Sequence, residues 1–164
     1  TYVEKLDLSD MPLIEKMMRE CKGWAFLDSL IIPVMPVMIR KDKKAYGYLR
    51  RWIKDKDYWV RRSALLAQLL FFRKDDGGDR ELFFRLAESQ FDESWIDDIY
   101  RGEENKRAKF FIRKAIGWTL REMSGKQPEK VVEFCVKNRD RMSGLSFREA
   151  TRKLPERMRK KLEK

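Results

Sequence analysis

Histidine is missing from this chain of 164 residues, and with it go imidazole acid–base catalysis and imidazole metal ligation. Carboxylates, amines, hydroxyls, thiols and aromatic faces are what remain for chemistry. Cysteine is scarce as well: Cys21 and Cys135 lack the paired spacing of a disulfide framework or a metal knuckle. Two isolated thiols suit a reducing, cytoplasmic setting. The longest apolar run, Leu30 to Ile39, is interrupted by Pro33 and Pro36 and is too short to span a bilayer. No segment alternates polar and apolar residues as a half-buried strand would, so the sequence predicts an all-α fold.

What is present is charge. Thirty-eight Lys and Arg face 27 Asp and Glu, a net charge of +11, which points to a polyanionic partner such as nucleic acid or an acidic membrane surface. A well-solvated basic surface is the plainer alternative. With 43% hydrophobic residues the chain has enough material for one core, and a single domain over 1–164 is expected. The tail around Met158 to Leu162 is the segment most suggestive of a membrane surface, but it is too polar to hold one strongly.

Caps and breakers mark out the helices. Ser9 or Asp10 before Pro12 opens a first helix to about Cys21. A second starts at Trp24 and meets Pro33 and Pro36, which should kink or stop it. Asp42 caps a third over 43–54, and Asp55 or Asp57 a fourth over 58–72. The loop 75–79 follows, then a helix over 80–91 and a short one around Trp95 and Ile99. After the charged run 102–107 comes a helix with a stripe of Ile112, Ala115, Ile116, Thr119, Leu120 and Met123 at i, i+3, i+4 spacing. Helices over 129–137, 147–154 and beyond Pro155 complete the chain.

Trp118 lies off that stripe, sharing a helix face with Lys114 and Arg121. Two readings are open: a binding surface, or a boundary tryptophan packed under cationic stems. Trp24 and Asp28 form an i, i+4 pair in an apolar context, where an unpaired carboxylate is costly to bury. That pair fits a chemical site, and equally a cap or an ion pair to a nearby arginine. A repeat runs through Trp59-Val60-Arg61-Arg62-Ser63-Ala64, Phe111-Ile112-Arg113-Lys114-Ala115-Ile116 and Ser146-Phe147-Arg148-Glu149-Ala150-Thr151. Its spacing is roughly that of HEAT-type stacked helix pairs, about 40 residues, with an insertion before the second copy. Arg62, Lys114 and Arg148 are the candidates for a basic strip on one groove, the alternative being structural arginines, and Arg61 is a further DNA-binding candidate beside them.

Taken in order, Trp24-Ala25-Phe26-Leu27-Asp28, Trp59-Val60-Arg61-Arg62, the block from Phe110 to Arg121, and Leu145-Ser146-Phe147-Arg148-Glu149-Ala150 resemble the AlkD-like family of DNA alkylation repair enzymes. The resemblance covers about 8–154 and implies a right-handed HEAT-like solenoid with a concave basic groove. It also implies a monofunctional glycosylase that excises positively charged N3- or N7-alkylated purines from double-stranded DNA. No metal or other cofactor is implied, and a monomer is expected. By resemblance, Trp24, Asp28 and Trp118 match the catalytic cleft, while Arg62 and Arg121 match contacts to the DNA backbone. The alternative is a non-catalytic HEAT-like module that binds DNA or a protein. Family members usually carry further N-terminal helices, so two alternatives stay open, the C-terminal part of a longer solenoid or a member without those helices; the connection over 92–109 is longer than the family's usual one.

Overall fold

We describe residues 2–21 and 23–162 of a computed structural model of the chain; the expected domain's end residues 1, 163 and 164 lie outside that set. The elements are α-helices and short 3-10 turns, with no strand among the described residues. Helix α1 (Met11–Glu20) has Pro12 in its first turn, where a missing amide costs nothing, and buries Met11, Ile14 and Met18. Its Glu15 accepts a hydrogen bond from Trp52 Nε1 at 2.6 Å and pairs with Arg51, tying α1 to α3 (Tyr46–Trp52).

Between them, α2 (Trp24–Lys41) continues past Pro33 and Pro36, so the stop that was one of the two outcomes expected from the sequence does not occur. Two prolines remove the amide partners of the Ser29 and Ile32 carbonyls, at about 3 kcal/mol each. Ser29 and Pro33 are exposed, so water can reach the first of these sites. Against that cost, Leu27, Ile31, Val34, Met35, Met38 and Ile39 are buried on both sides of the prolines. At roughly 1.5–3 kcal/mol per buried side chain, the stripe outweighs the breaks.

The helix expected over 58–72 is two helices, α4 (Tyr58–Leu66) and α5 (Leu69–Lys74). Gln68 sits at the break and is 1% exposed. Its amide accepts from Asp79 N at 2.6 Å and donates to Asp79 O at 3.2 Å, which fastens the chain to the loop that follows. In that loop Asp75, Gly77 and Gly78 all have positive φ, as two glycines after an aspartate permit. Asp79 then caps α6 (Arg80–Glu88) through Leu82 N at 2.8 Å, and α7 (Ser94–Ile99) is the short helix anticipated around Trp95.

Helix α8 (Gly102–Ser124) begins a full two turns earlier than the charged run suggests. Glu103 and Glu104 in its first turn complement the helix dipole, Tyr58 Oη donates to Glu104 at 2.8 Å, and Lys109 pairs with Asp97 at 2.7 Å. The predicted stripe holds: Ile112, Ala115, Ile116, Thr119, Leu120 and Met123 are each at most 1% exposed. Then come α9 (Pro128–Lys137), α10 (Gly144–Thr151) and α11 (Glu156–Arg159).

Helices α2, α4, α8 and α10 pack in that order as a row, with α3 and α6 against α4, and α9 against α8 and α10. The fold is therefore a helical-repeat all-α stack with one continuous core. Among the described residues no helix is long and apolar enough to cross a membrane.

Candidate active site

The three copies of the repeated motif fall on α4, α8 and α10, so the repeat marks consecutive members of the row. Side chains cross from each helix to the next. Arg62 on α4 reaches back to Asp28 on α2 and forward to α8. Its Nε and Nη2 donate to the two carboxylate oxygens of Asp28 at 3.0 and 2.7 Å, and Nη1 donates to the Phe111 carbonyl at 2.8 Å. All three nitrogens are engaged, in the bidentate geometry that suits guanidinium to carboxylate. The residue expected at the DNA backbone is thus a buried clamp, 3% exposed, that fixes Asp28 in orientation.

Asp28 is itself 7% exposed, whereas Trp24, one turn earlier on the same face of α2, is 54% exposed. The Trp24 indole is presented to solvent beside a gripped carboxylate, and Phe26, two residues on, is exposed as well. On α8, Phe111 and Trp118 are separated by two turns along one strip, about 10 Å apart in rise. Phe111 packs against Trp59 in a tilted pair, 4.7 Å between ring centres and 46° between planes, beneath Arg62 at 5.3 Å and Arg107 at 5.9 Å. The structure joins Asp28, Arg62 and Phe111 directly, and Trp118 follows on the Phe111 strip as a half-buried ring packed against the core.

Lys114 and Arg121 share Trp118's face, and both pair with Glu149 on α10, at 2.8 and 2.5 Å. Glu149 stands at the motif position that Arg62 and Lys114 occupy in the other copies. The basic strip anticipated from the repeat is therefore interrupted by an acid that holds one of its cations, Lys114, together with Arg121. Gly117 allows this approach: a β-carbon there would lie 2.6 Å from Glu149 Cβ and 3.0 Å from the Ser146 carbonyl. Ser146 Oγ in turn donates to the Arg113 carbonyl at 2.8 Å.

The remaining candidates lie elsewhere. Arg61 is about 100° around α4 from Arg62; it donates to the Asp55 carbonyl and to Gln90, and its guanidinium stacks on Trp95 at 3.6 Å. Arg148 is exposed on α10. Both hold the first basic position of the motif, whose third member, Arg113, makes a bidentate pair with Glu93 at 2.6 Å. Glu149 and the Trp59–Phe111 pair are the neighbours of the site that sequence reasoning missed. The third copy of the repeat carried a signal for Glu149, since it places an acid where the others place a cation.

Burial works to raise the Glu149 carboxyl, but Lys114, Arg121 and Arg152 together hold it below the usual carboxylate range. The same contest ends the same way at Glu122, with Arg73 and Lys153, and at Asp55, with Arg19 and Arg61. A carboxyl lowered in the folded state gives stability that is whole above the unfolded value, about pH 4, and is lost as pH falls through the folded value. Thermal melts are expected to be flat between about pH 8 and 5, where no histidine titrates. The midpoint should fall steeply below about pH 4.5; a midpoint that rises on acidification would sink this account. Burial also pushes the Cys135 thiol up to about 12, so it is no nucleophile at neutral pH.

Helices stacked in a row, with polar side chains paired across it around a clamped carboxylate, place the chain among all-α helical-repeat proteins. Its particular kinship comes from sequence comparison. The model of the DNA alkylation repair enzyme family matches residues 1–154, and the chain belongs to that family. No curated protein matches the chain at a significant level.

Proposed function

We propose that this protein is a DNA glycosylase that hydrolyses the N-glycosidic bond of positively charged N3- or N7-alkylated purines in duplex DNA. The observation that carries the reading is the Asp28 carboxylate, held bidentately by buried Arg62 beside the exposed Trp24 ring, in a chain of the alkylation repair family. Such a purine carries its own positive charge, so the bond to C1′ breaks with both electrons passing to the base and no general acid is needed. The sugar left behind is oxocarbenium-like. A fixed carboxylate stabilises that cation electrostatically, and aromatic faces add attraction through their quadrupoles.

Each oxygen of Asp28 spends one acceptor site on Arg62 and keeps another. The free lone pairs can face the sugar or orient the water that adds to C1′, and accept the proton that water loses as its oxygen bonds to the carbon. Trp24 and Trp118 are the aromatic walls, and Arg121 with Lys114 forms the cationic margin beside Trp118. Glu149 sets where those two cations sit, and the HEAT-like row offers DNA one shared face. The enzyme acts as a monomer and uses no cofactor on this reading.

The test is release of free base from methylated duplex DNA by the purified chain, followed chromatographically. Excision of 3-methyladenine or 7-methylguanine is the expected result, and Trp24→Ala should slow it by roughly tenfold or more, as loss of a stacking wall would. Duplex binding without any base release would turn the reading to a non-catalytic DNA-binding module.

A further inference from the structure

Away from Asp28, a cavity of about 480 Å³ opens between α3, the start of α4 and α6. Four cations line it: Arg50, Lys54, Arg61 and Arg85. Among the described residues no carboxylate does. Arg61 is committed to the Asp55 carbonyl and Gln90, but among the described residues Arg50, Lys54 and Arg85 have no hydrogen-bonding or ion-pair partner from their side chains. Elsewhere the chain pairs its cations freely: Arg19 with Asp55, Arg40 with Asp76, Arg73 with Glu122, Lys137 with Glu88. Three unpaired cations around one concavity form a local field that draws anions. The floor is apolar, made of Ile53, Leu82 and Leu86, and the stems of the arginines and lysine wall it.

We propose that this cavity is a docking site for an acidic segment of a protein partner, one that carries an apolar anchor between its carboxylates. Charge complementarity selects the anion. The apolar floor selects a side chain, and the remaining polar groups argue against a nucleobase. Gln90 Nε2 already donates to the Ile53 carbonyl and Ser89, its Oε1 accepts from Arg61, and Ser89 Oγ donates to the Leu86 carbonyl. Base edges would find few acceptors here. A DNA duplex is convex and too broad to enter a cavity of this size, so it could touch the cationic rim and leave the floor unused. The volume lies within the range that buries a compact ligand group, and leaves room for more than one bulky side chain.

The probe is a fluorescein-labelled twelve-residue peptide in which glutamates flank a central Trp-Leu pair, titrated with the full chain and read by anisotropy. Saturable binding is expected, weakened about tenfold or more by Arg85→Glu and by Lys54→Glu, as reversal of a complementary charge predicts. The same peptide with serines in place of Trp-Leu should bind several-fold more weakly. Both substitutions are on the surface, and an unchanged melting temperature checks that each variant is folded. Equal binding by parent and variants overturns the proposal, as does no binding at all. Displacement of the peptide by a single-stranded oligonucleotide, with loss of the oligonucleotide's own binding in Arg85→Glu, would assign the cavity to nucleic acid instead. Base release by the two variants should match the parent, so failure of the glycosylase reading leaves this result intact.

Discussion

Asp28→Asn is expected to slow base release from methylated DNA by about 10²–10³-fold, the size of effect seen when one preorganised electrostatic group is removed from a transition state. The same change leaves Arg62 buried at 3% exposure with a neutral partner. Breaking a buried pair from one side costs about 3–5 kcal/mol, and Asn retains one acceptor, so the lower part of that range applies. Two losses therefore arrive together and need separating. Leu65→Ala, at a core position on α4 with 0% exposure, should cost about 2–5 kcal/mol without touching the carboxylate. Assayed well below both melting midpoints, Leu65→Ala should release base almost as fast as the parent while Asp28→Asn does not. If the two variants lose activity equally, the carboxylate has a structural role alone, and the catalytic assignment fails.

The asymmetry between Trp24 and Asp28 is what makes this experiment informative. A structural ion pair requires Arg62 and Asp28 only, and both are buried. It does not require a large ring left in water one turn away. Conversely, a catalytic carboxylate in an apolar setting needs a partner that holds it without consuming all of its acceptor sites, and a bidentate arginine does that. On the proposed glycosylase reading, the ion pair foreseen as an alternative to chemistry becomes one of its requirements.

Much of this was legible in the sequence, and the parts that were not share a cause. The α8 stripe from Ile112 to Met123 was readable because helical periodicity is local, and Trp24 with Asp28 because four residues make one turn. Arg62's attachment to Asp28 spans 34 residues, and no local rule connects them. Its third bond, to the Phe111 carbonyl, involves a backbone atom that carries no sequence signal at all. Pro33 and Pro36 left a stop open because their local cost is real; the burial that overrides it comes from helices distant in the chain. The early start of α8 escaped notice because its first turns are charged all round and are held by Tyr58 and Asp97 from outside. In each case tertiary contacts decided what local propensity left open.

Gly117→Ala is the second large effect, and its sign runs against helix propensity. At an open position inside α8, alanine would stabilise by about 1 kcal/mol. Here the new methyl meets Glu149 Cβ at 2.6 Å and, more stubbornly, the Ser146 carbonyl at 3.0 Å and Cα at 3.1 Å. Two of those three atoms are backbone, so α10 must shift as a unit. Overpacking of this kind costs about 1–3 kcal/mol, and a domain of this length loses roughly 2–4 °C in Tm for each. A fall of several degrees is expected, and an unchanged or higher Tm would show that α10 yields freely. The pH dependence gives a second, independent reading. Displacing α10 carries Glu149 away from Lys114 and Arg121, so the cations lower its carboxyl less than before. A group less lowered on folding contributes less to acid destabilisation, so the decline in Tm below about pH 4.5 should be shallower in the variant than in the parent. A lower plateau with an unaltered acid slope would mean that the helix moved but the charge cluster beside Trp118 travelled with it intact.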